Sequence, residues 1–292
     1  MSPAARLVDD RAASTVARSA AEEPAGHPHG VRATARIHAT HNGRATTLPR
    51  LRSDGPFHLR RMRTDGNSAK VGIIGAMSAP LGGDRLTIDV TVEDRAVLEV
   101  TTAAAAVALR GATTAPATYD VRLTAGEHAG LRWLPQPLIS AAGSNLRQTC
   151  RVELAPTARL LLREEQILGR ADEDPGHLVS RLLVHRAGRP LLDQQAAYGS
   201  PEPGWDGPAG LNGHRAVGQI LLVDPKMGTR HDPVLLREGS RDGCAVLTPL
   251  ANGPALLATA VAPTPSTLRE LLDEALAHAL CDGGVPGGRL IW

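Results

Sequence analysis

A strand–turn–strand unit recurs along this chain at a fixed spacing, and that repeat limits the fold more than any other feature. The clearest copy is Arg85-Leu86-Thr87-Ile88-Asp89-Val90-Thr91-Val92-Glu93. Leu86, Ile88, Val90 and Val92 fall on one face and the polar residues on the other, the alternation of a half-buried strand. Asp94-Arg95 turns the chain, and 96–102 returns. Asp120-Val121-Arg122-Leu123 leads in the same way into Leu131-Arg132-Trp133-Leu134, and Arg151-Val152-Glu153-Leu154 into Leu160-Leu161-Leu162. Val90 to Val121 is 31 residues, and Val121 to Val152 is 31 again. A fainter fourth copy is Leu182-Leu183-Val184-His185, turning at Gly188-Arg189-Pro190 into Leu191-Leu192. One such unit cannot bury its apolar face alone, so neighbouring copies must cover it. The expected fold is mainly β: a β-solenoid-like stack of strands with one or two helices, including a C-terminal helix. Val121, Leu123, Val152 and Leu154 are expected inward, in layers matching the first copy.

Further strands are expected at 217–223, 244–247 and 255–261, separated by Gly- and Pro-rich segments such as 200–208. A helix is expected to close the chain. Thr267 is its expected cap, with Glu270 as the capping-box partner, and Gly283-Gly284 its end. Its apolar stripe is Leu268, Leu271, Leu272, Ala275, Leu276 and Ala279. Residues 1–30, rich in Ala, Ser, Pro and charge, read as a mobile tail, and 31–292 as a single β domain.

The 292 residues carry 32 Lys and Arg against 30 Asp and Glu, a net charge of +2. Such a balance gives no general attraction to nucleic acid or to an anionic membrane. Aromatic residues are 2% of the chain, so base-stacking platforms are not expected. Cys150, Cys244 and Cys281 are odd in number and widely spaced, neither a disulfide framework nor a cysteine zinc site. The chain opens without an apolar signal region, and no stretch has the length and apolarity of a transmembrane span. The expectation is a cytoplasmic protein with neither nucleic acid nor membrane as partner.

No Walker A, GxGxxG after a strand, HExxH or GxSxG occurs, and no compact acid–base–nucleophile cluster stands out. The expectation is therefore no enzyme and no catalytic residue. His27 with His29, and His38 with His41, are close enough in sequence to hold a divalent metal, but a solvated tail and chance spacing explain them as well, and no stable metal site is expected. Glu164-Glu165 and Asp172-Glu173-Asp174 form the densest acidic stretch. They read either as oxygen ligands or a partner-facing patch, or, by default, as a solvated turn between strands. Gly82-Gly83-Asp84 reads as the turn that leads into the first clear strand. Trp133 among leucines reads first as core.

Taken in order, these segments resemble the urease accessory protein family UreD, also called UreH. Leu81-Gly82-Gly83-Asp84-Arg85-Leu86 is similar to that family's GGDxL. Leu98-Glu99-Val100-Thr101-Thr102 followed by alanines is similar to its LxxTT-x-AA. Leu131-Arg132-Trp133-Leu134-Pro135-Gln136 is similar to LEWLPQ, Leu168-Gly169-Arg170 to LGR, and Arg289-Leu290-Ile291-Trp292 to a closing PRIW. The chain departs from the pattern at Gly75–Pro80, where the family has HPPGG, at Val107 in place of a common Lys, and at Arg132 and Pro137, where acidic residues are usual. It resembles a divergent member, over residues 31 to 292.

The resemblance implies a β-solenoid-like fold with a pair of helices and a non-enzymatic role. It implies a scaffold that bridges the urease apoprotein and a UreF–UreG pair, UreG being the nickel-carrying GTPase, and that helps deliver nickel to the urease active site. It implies no permanently bound cofactor, only Ni2+ in transit through a polar tunnel. Asp84, at the GGD motif, is then the first candidate on the nickel path, with Glu164 and Asp193 as later stations. An ion conduit needs oxygen sites that offset part of the lost hydration yet release the ion onward, and single carboxylates meet that need. The alternative role is a non-catalytic β-solenoid protein-binding module without urease coupling. The helical stripe, with Leu272 and Leu276, either packs on its own sheet or helps bind a UreF-type partner.

Overall fold

The computed structural model describes residues 30–64, 66–227, 232–237 and 242–282. The expected tail, His27, His29, the helix-ending glycines and the closing motif with Trp292 lie outside the described residues, apart from Gly30. Two hairpins open the fold: β1 (Arg32–His41) with β2 (Thr46–Arg52), then β3 (Phe57–Met62) with β4 (Ala69–Gly75). Three arches follow. They are β5 (Arg85–Val92) to β6 (Val97–Thr102) with the short β7 (Ala106–Ala108); β8 (Ala117–Ala125) to β9 (Gly130–Leu134) with the short β10 (Leu138–Ser140); and β11 (Asn145–Leu154) to β12 (Arg159–Leu168). β13 (His177–Arg186) starts a fourth but turns back as β14 (Arg189–Tyr198). β15 (Ala216–Val223), β16 (Val234–Leu236), β17 (Cys244–Pro249), β18 (Ala255–Ala262) and α1 (Pro265–Asp282) complete the chain.

The strands form two facing sheets. One has seven strands in the order β14-β13-β11-β8-β5-β1-β2. The other has eleven, in the order β16-β17-β18-β15-β12-β9-β6-β4-β3 with β7 and β10 beside this path. Each arch sends its first strand to the first sheet and its second strand to the other. The parallel pairs β5–β8, β8–β11 and β11–β13 run in one sheet, and β6–β9 and β9–β12 in the other. This is the β-solenoid-like stack. The turns superpose as well: Arg95 and His128, at equivalent places in successive turns, both take positive φ (63° and 58°). Ala96, Ala129 and Ala158 line the crossings between sheets and are fully buried, because the arch leaves room only for a methyl group.

The register differs from the repeat read in the sequence. Val90 pairs with Leu123, Leu123 with Val152, and Val152 with Val184, offsets of 33, 29 and 32 residues. The even 31-residue step would have aligned Val90, Val121 and Val152. Residues two apart on a strand face the same side, so a slip of two preserves the inward pattern and leaves no trace in it. All of Val121, Leu123, Val152 and Leu154 are buried, as expected. The faint fourth copy is real, though its second strand is a hairpin partner in the same sheet rather than an arch.

A single helix, α1, is present among the described residues, where the resemblance implied a pair. Its cap is also corrected. Thr264 Oγ1 accepts the Thr267 N–H at 3.2 Å, Pro265 occupies the first helical position, and Thr267 lies one turn inside. The stripe packs on the outer face of β15, β17 and β18. Leu268, Leu271, Leu272 and Ala275 are fully buried there, and Leu276 is partly buried against the same cluster. Leu272 is thus part of the core under its own helix, and Leu276 lies at the margin of that core.

Candidate functional site: a polar belt between the sheets

Through the first two arches and the start of the third the space between the sheets is apolar, with Ile88, Leu98, Leu123, Leu131, Val152, Leu160 and Leu162 all buried. At the end of the stack the lining changes. On β12 the inward positions run Leu160, Leu162, Glu164, Gln166, Leu168, so two polar residues occupy places the alternation reserves for the core. Gln219 does the same on β15, directly opposite Glu164 in the antiparallel pairing. Ser180 on β13 and Gln194 and Tyr198 on β14 face them from the other sheet, and Thr259 of β18 pairs beside Gln219. Together these side chains line a pocket of about 60 Å³, room for a small number of water molecules.

Glu164 is 5% exposed. Gln219 Nε2 donates to Glu164 Oε2 at 2.8 Å, Gln194 Nε2 donates to Gln219 Oε1 at 3.2 Å, and Gln166 Nε2 donates to Ser180 Oγ at 2.6 Å. No described Lys, Arg or His pairs with Glu164. Burial pushes its carboxyl up to about 6, partly offset by the Gln219 hydrogen bond. Burial raises the Tyr198 phenol to about 12, with the nearby Glu164 adding to the effect, and drives the Cys150 thiol well up for the same two reasons. A buried carboxylate without a counter-ion, amid amide and hydroxyl oxygens, can receive a cation and release it without the grip of a closed ligand cage. Among the described residues no group of three or more His, Cys, Asp or Glu side chains converges as a metal cage.

The neighbouring Glu165 faces the opposite way, under α1. Arg163 Nε donates to it at 2.6 Å, Arg163 also holds Asp273 at 2.5 Å, and Arg269 Nη2 lies 3.8 Å from it. Glu164 and Glu165 therefore lie within a buried strand, not in the solvated turn expected of them. Asp172, Glu173 and Asp174 do form a turn. Glu173 holds Arg170 through two side-chain hydrogen bonds of 2.9 Å and one from its backbone N–H at 2.8 Å, and these bonds press its carboxyl down to about 2.

The other expected path residues lie apart from the belt. Asp84 is 2% exposed, but its oxygens already take backbone N–H groups, Val31 on Oδ1 at 2.7 Å and Leu81 on Oδ2 at 2.8 Å. It is a clamp that fastens the start of β1 to the turn before β5. Asp193 lies on the outer face of the β13–β14 hairpin, exposed, in a two-bond ion pair with Arg181 at 2.9 and 2.8 Å. Its neighbour Gln194 is the inward residue. Successive side chains on a strand point to opposite faces, and the register shift between Val184 and His185 hides which of the two faces in.

The motif residues are mostly structural. A Cβ on Gly82 would lie 2.6 Å from the Thr113 carbonyl oxygen, so only glycine lets these turns stack, and Gly83 turns with φ +91°. Thr102 Oγ1 accepts the Gln136 N–H at 2.8 Å, and Thr101 lies beside it on β6. Trp133 is core, paired with Val100 on one side and Leu162 on the other, with Pro135 in the bend that follows. Gln136 Oε1 accepts Arg269 Nη2 at 3.2 Å, tying that bend to α1. Gly169 N–H donates to Ser140 at 2.9 Å. His38 pairs with Glu93 at 2.8 Å, while His41 Nδ1 accepts the Gly43 N–H, so these two histidines serve separate contacts. The belt's Gln166, Ser180, Gln194, Tyr198, Gln219 and Thr259 escaped the sequence reading. Gln219 in the middle of an otherwise apolar strand was the available signal.

The main polar feature of this two-sheet solenoid is thus internal, and most of its sequence motifs serve turns and packing. The family profile described as UreD urease accessory protein matches residues 31–285. The chain is 61% identical to urease accessory protein UreD 2 of Saccharopolyspora erythraea, over 91% of this chain and 94% of that one. It is 57% identical to UreD 3 of Streptomyces griseus, over 86% and 97%, and 53% identical to UreD of Streptomyces coelicolor, over 85% and 96%. The chain belongs to the UreD family of urease accessory proteins. The relatives it matches are all named as urease accessory proteins. No helix among the described residues is long and apolar enough to cross a membrane.

Proposed function

We propose that this chain is a cytoplasmic scaffold that joins the urease apoprotein to UreF-type and UreG-type partners, and that its polar belt passes Ni2+ toward the urease active site. The observation that supports the nickel step is Glu164: a carboxylate buried between two sheets, hydrogen-bonded by the Gln219 amide N–H, in a pocket lined by further polar side chains, with no counter-ion among the described residues. Stripping water from a divalent cation is costly, and a single carboxylate with neutral oxygens offsets part of that cost while keeping the site shallow. The carboxyl, poised at about 6, is largely ionised near neutral pH and so ready for a cation. Nickel is cargo in this reading, with no cofactor held between deliveries.

The test is co-expression of urease and its accessory proteins with wild-type chain or Glu164→Gln. The side chains are nearly isosteric, so complex assembly should persist while urease nickel content and activity fall. Full activity with Glu164→Gln would remove Glu164 from the path. Pull-down without any urease partner would favour the alternative module without urease coupling.

A further inference from the structure

α1 covers only part of the outer face of the eleven-stranded sheet, and its ion pairs show how it runs there. Arg269 reaches Glu165 of β12 at 3.8 Å, and Asp273, one turn on, meets Arg163 at 2.5 Å. Four helical residues thus match two strand residues going back along β12, so the last turn of α1 comes level with Leu161 and Arg159. Beyond β12 the same face continues over β9, β6, β4 and β3. The row level with Leu161 is Arg132, Glu99, Lys70 and Met62, each paired with the one before. Lys70 and Arg132 both hold Glu99, at 2.7 and 3.4 Å. Glu99 and Arg132 are 22% and 24% exposed, whereas Arg122 and Arg151, midway along the outer face of the other sheet, are 57% and 51% exposed. At the far end of the row Met62 leans over Gly72 toward Ile74: a Cβ on Gly72 would lie 2.9 Å from Met62 Sδ. Met62 and Ile74 are 43% and 38% exposed, an apolar pair on a face where strand alternation favours polar side chains.

Past Asp282 the sequence continues with Gly283-Gly284-Val285-Pro286-Gly287-Gly288-Arg289-Leu290-Ile291-Trp292. Ten extended residues reach about 33 Å, and β12 to β3 is four strand spacings, about 19 Å. The segment is therefore long enough to run from the level at which α1 stops to Met62, including the step down from helix to sheet. Its composition suits that route. Four of its first six residues are glycine, with no side chain to collide with the charged row, and its last three are large apolar groups. Seating those three on Met62 and Ile74 removes apolar surface from water on both sides. We propose that residues 283–292 form a strap over the outer face, crossing Arg132, Glu99 and Lys70 and packing Leu290, Ile291 and Trp292 on Met62 and Ile74. The strap finishes the cover that α1 begins, and gives the closing motif a task that the nickel path does not. A second copy's tail competes for the same apolar pair, but the tethered segment acts at a far higher effective concentration.

The experiment follows peroxide oxidation of Met62 by mass spectrometry in three forms: full-length chain, chain stopped after Asp282, and full-length Leu290→Ser/Ile291→Ser/Trp292→Ser. Met77, 52% exposed in the loop after β4, is the internal control. Met62 should oxidise at least about fivefold faster in both altered forms, with the Met77 rate unchanged. Equal Met62 rates in all three forms overturn the inference. Protection of Met62 that grows with chain concentration assigns the strap to a second copy and overturns it as well. If the altered forms lose their fold, seen as a faster Met77 rate, a disulfide in the full-length chain decides. In a Cys244→Ser/Cys281→Ser background, Arg60→Cys with Arg289→Cys should form an intramolecular bridge, because Arg60 lies on the face and strand of Met62. Arg122→Cys with Arg289→Cys, on the other sheet, should not. Absence of the first bridge, or equal yields of the two, overturns the inference.

Discussion

A Cβ placed on Gly218 would lie 2.8 Å from Leu272 Cδ1 and 2.9 Å from the Glu164 carbonyl oxygen. β15 thus gives α1 its seat by having no side chain there, and the floor under Leu272 is the backbone of the strand that carries Glu164. Gly218→Ala should cost about 1–3 kcal/mol through overpacking, read as a lower urea midpoint. If stability is unchanged, the helix is not seated as described.

Leu272→Ala would leave a cavity between α1 and the sheet beneath it. With the side chain fully buried, the cost should be about 2–5 kcal/mol. Leu276→Ala, at the margin of the same cluster, should cost less. An unchanged melt for Leu272→Ala, with lost partner capture, would return that residue to an interface.

Asp84→Ala removes an acceptor shared by the Val31 and Leu81 amides. Charge-assisted hydrogen bonds of this kind are worth about 1.5–3 kcal/mol each when buried. A loss of about 2–4 kcal/mol is expected, with faster amide exchange at Val31 and Leu81. Asp84→Asn, which keeps one carbonyl acceptor, should recover part of it. Unchanged exchange at both amides would show the clamp is not as described.

Glu164 makes stability fall as pH rises. Its folded value, about 6, is above the 4.5 of an ordinary glutamate. The folded state therefore holds the proton more tightly, and the acid form favours folding. Below about pH 4.5 both states are protonated and nothing is lost. Between there and about pH 6 stability declines, and above that the deficit levels off at about 2 kcal/mol. Glu164→Gln should abolish the decline, leaving the variant more stable than wild type at pH 7.5 and similar to it at pH 4. Parallel stability–pH curves for the two proteins would contradict the buried, unpaired carboxylate.

The strands were legible because alternation survives any sequence context: Leu86 to Val92 announce an inward face whatever stands opposite. What stands opposite was not legible. Val90 meets Leu123 rather than Val121 because a two-residue slip exchanges one aliphatic layer for another of nearly equal volume. The helix was visible from its leucines, yet its cap was misplaced by one turn because both Thr264 and Thr267 can accept an amide. Glu164 was singled out on a family pattern while its local reading was a solvated turn, since two adjacent acids on one strand must face opposite ways and only tertiary structure says what covers each. Asp193 was chosen over Gln194 for the same reason: charge was visible in sequence, and direction was not.

A ladder of parallel rungs carries no instruction about how many rungs to build. Here the count is set by β14, which runs back along β13 in the sheet where it began. The reversal denies a further arch its starting strand and leaves the other sheet to be finished by antiparallel strands under a helix. A whole extra rung spliced between β8 and β11 would lengthen the aliphatic stack while both ends kept their surroundings. In such an elongated protein the distance from the β2–β3 end to the Glu164 pocket would become an adjustable length, growing by one strand spacing of about 4.8 Å with each rung added.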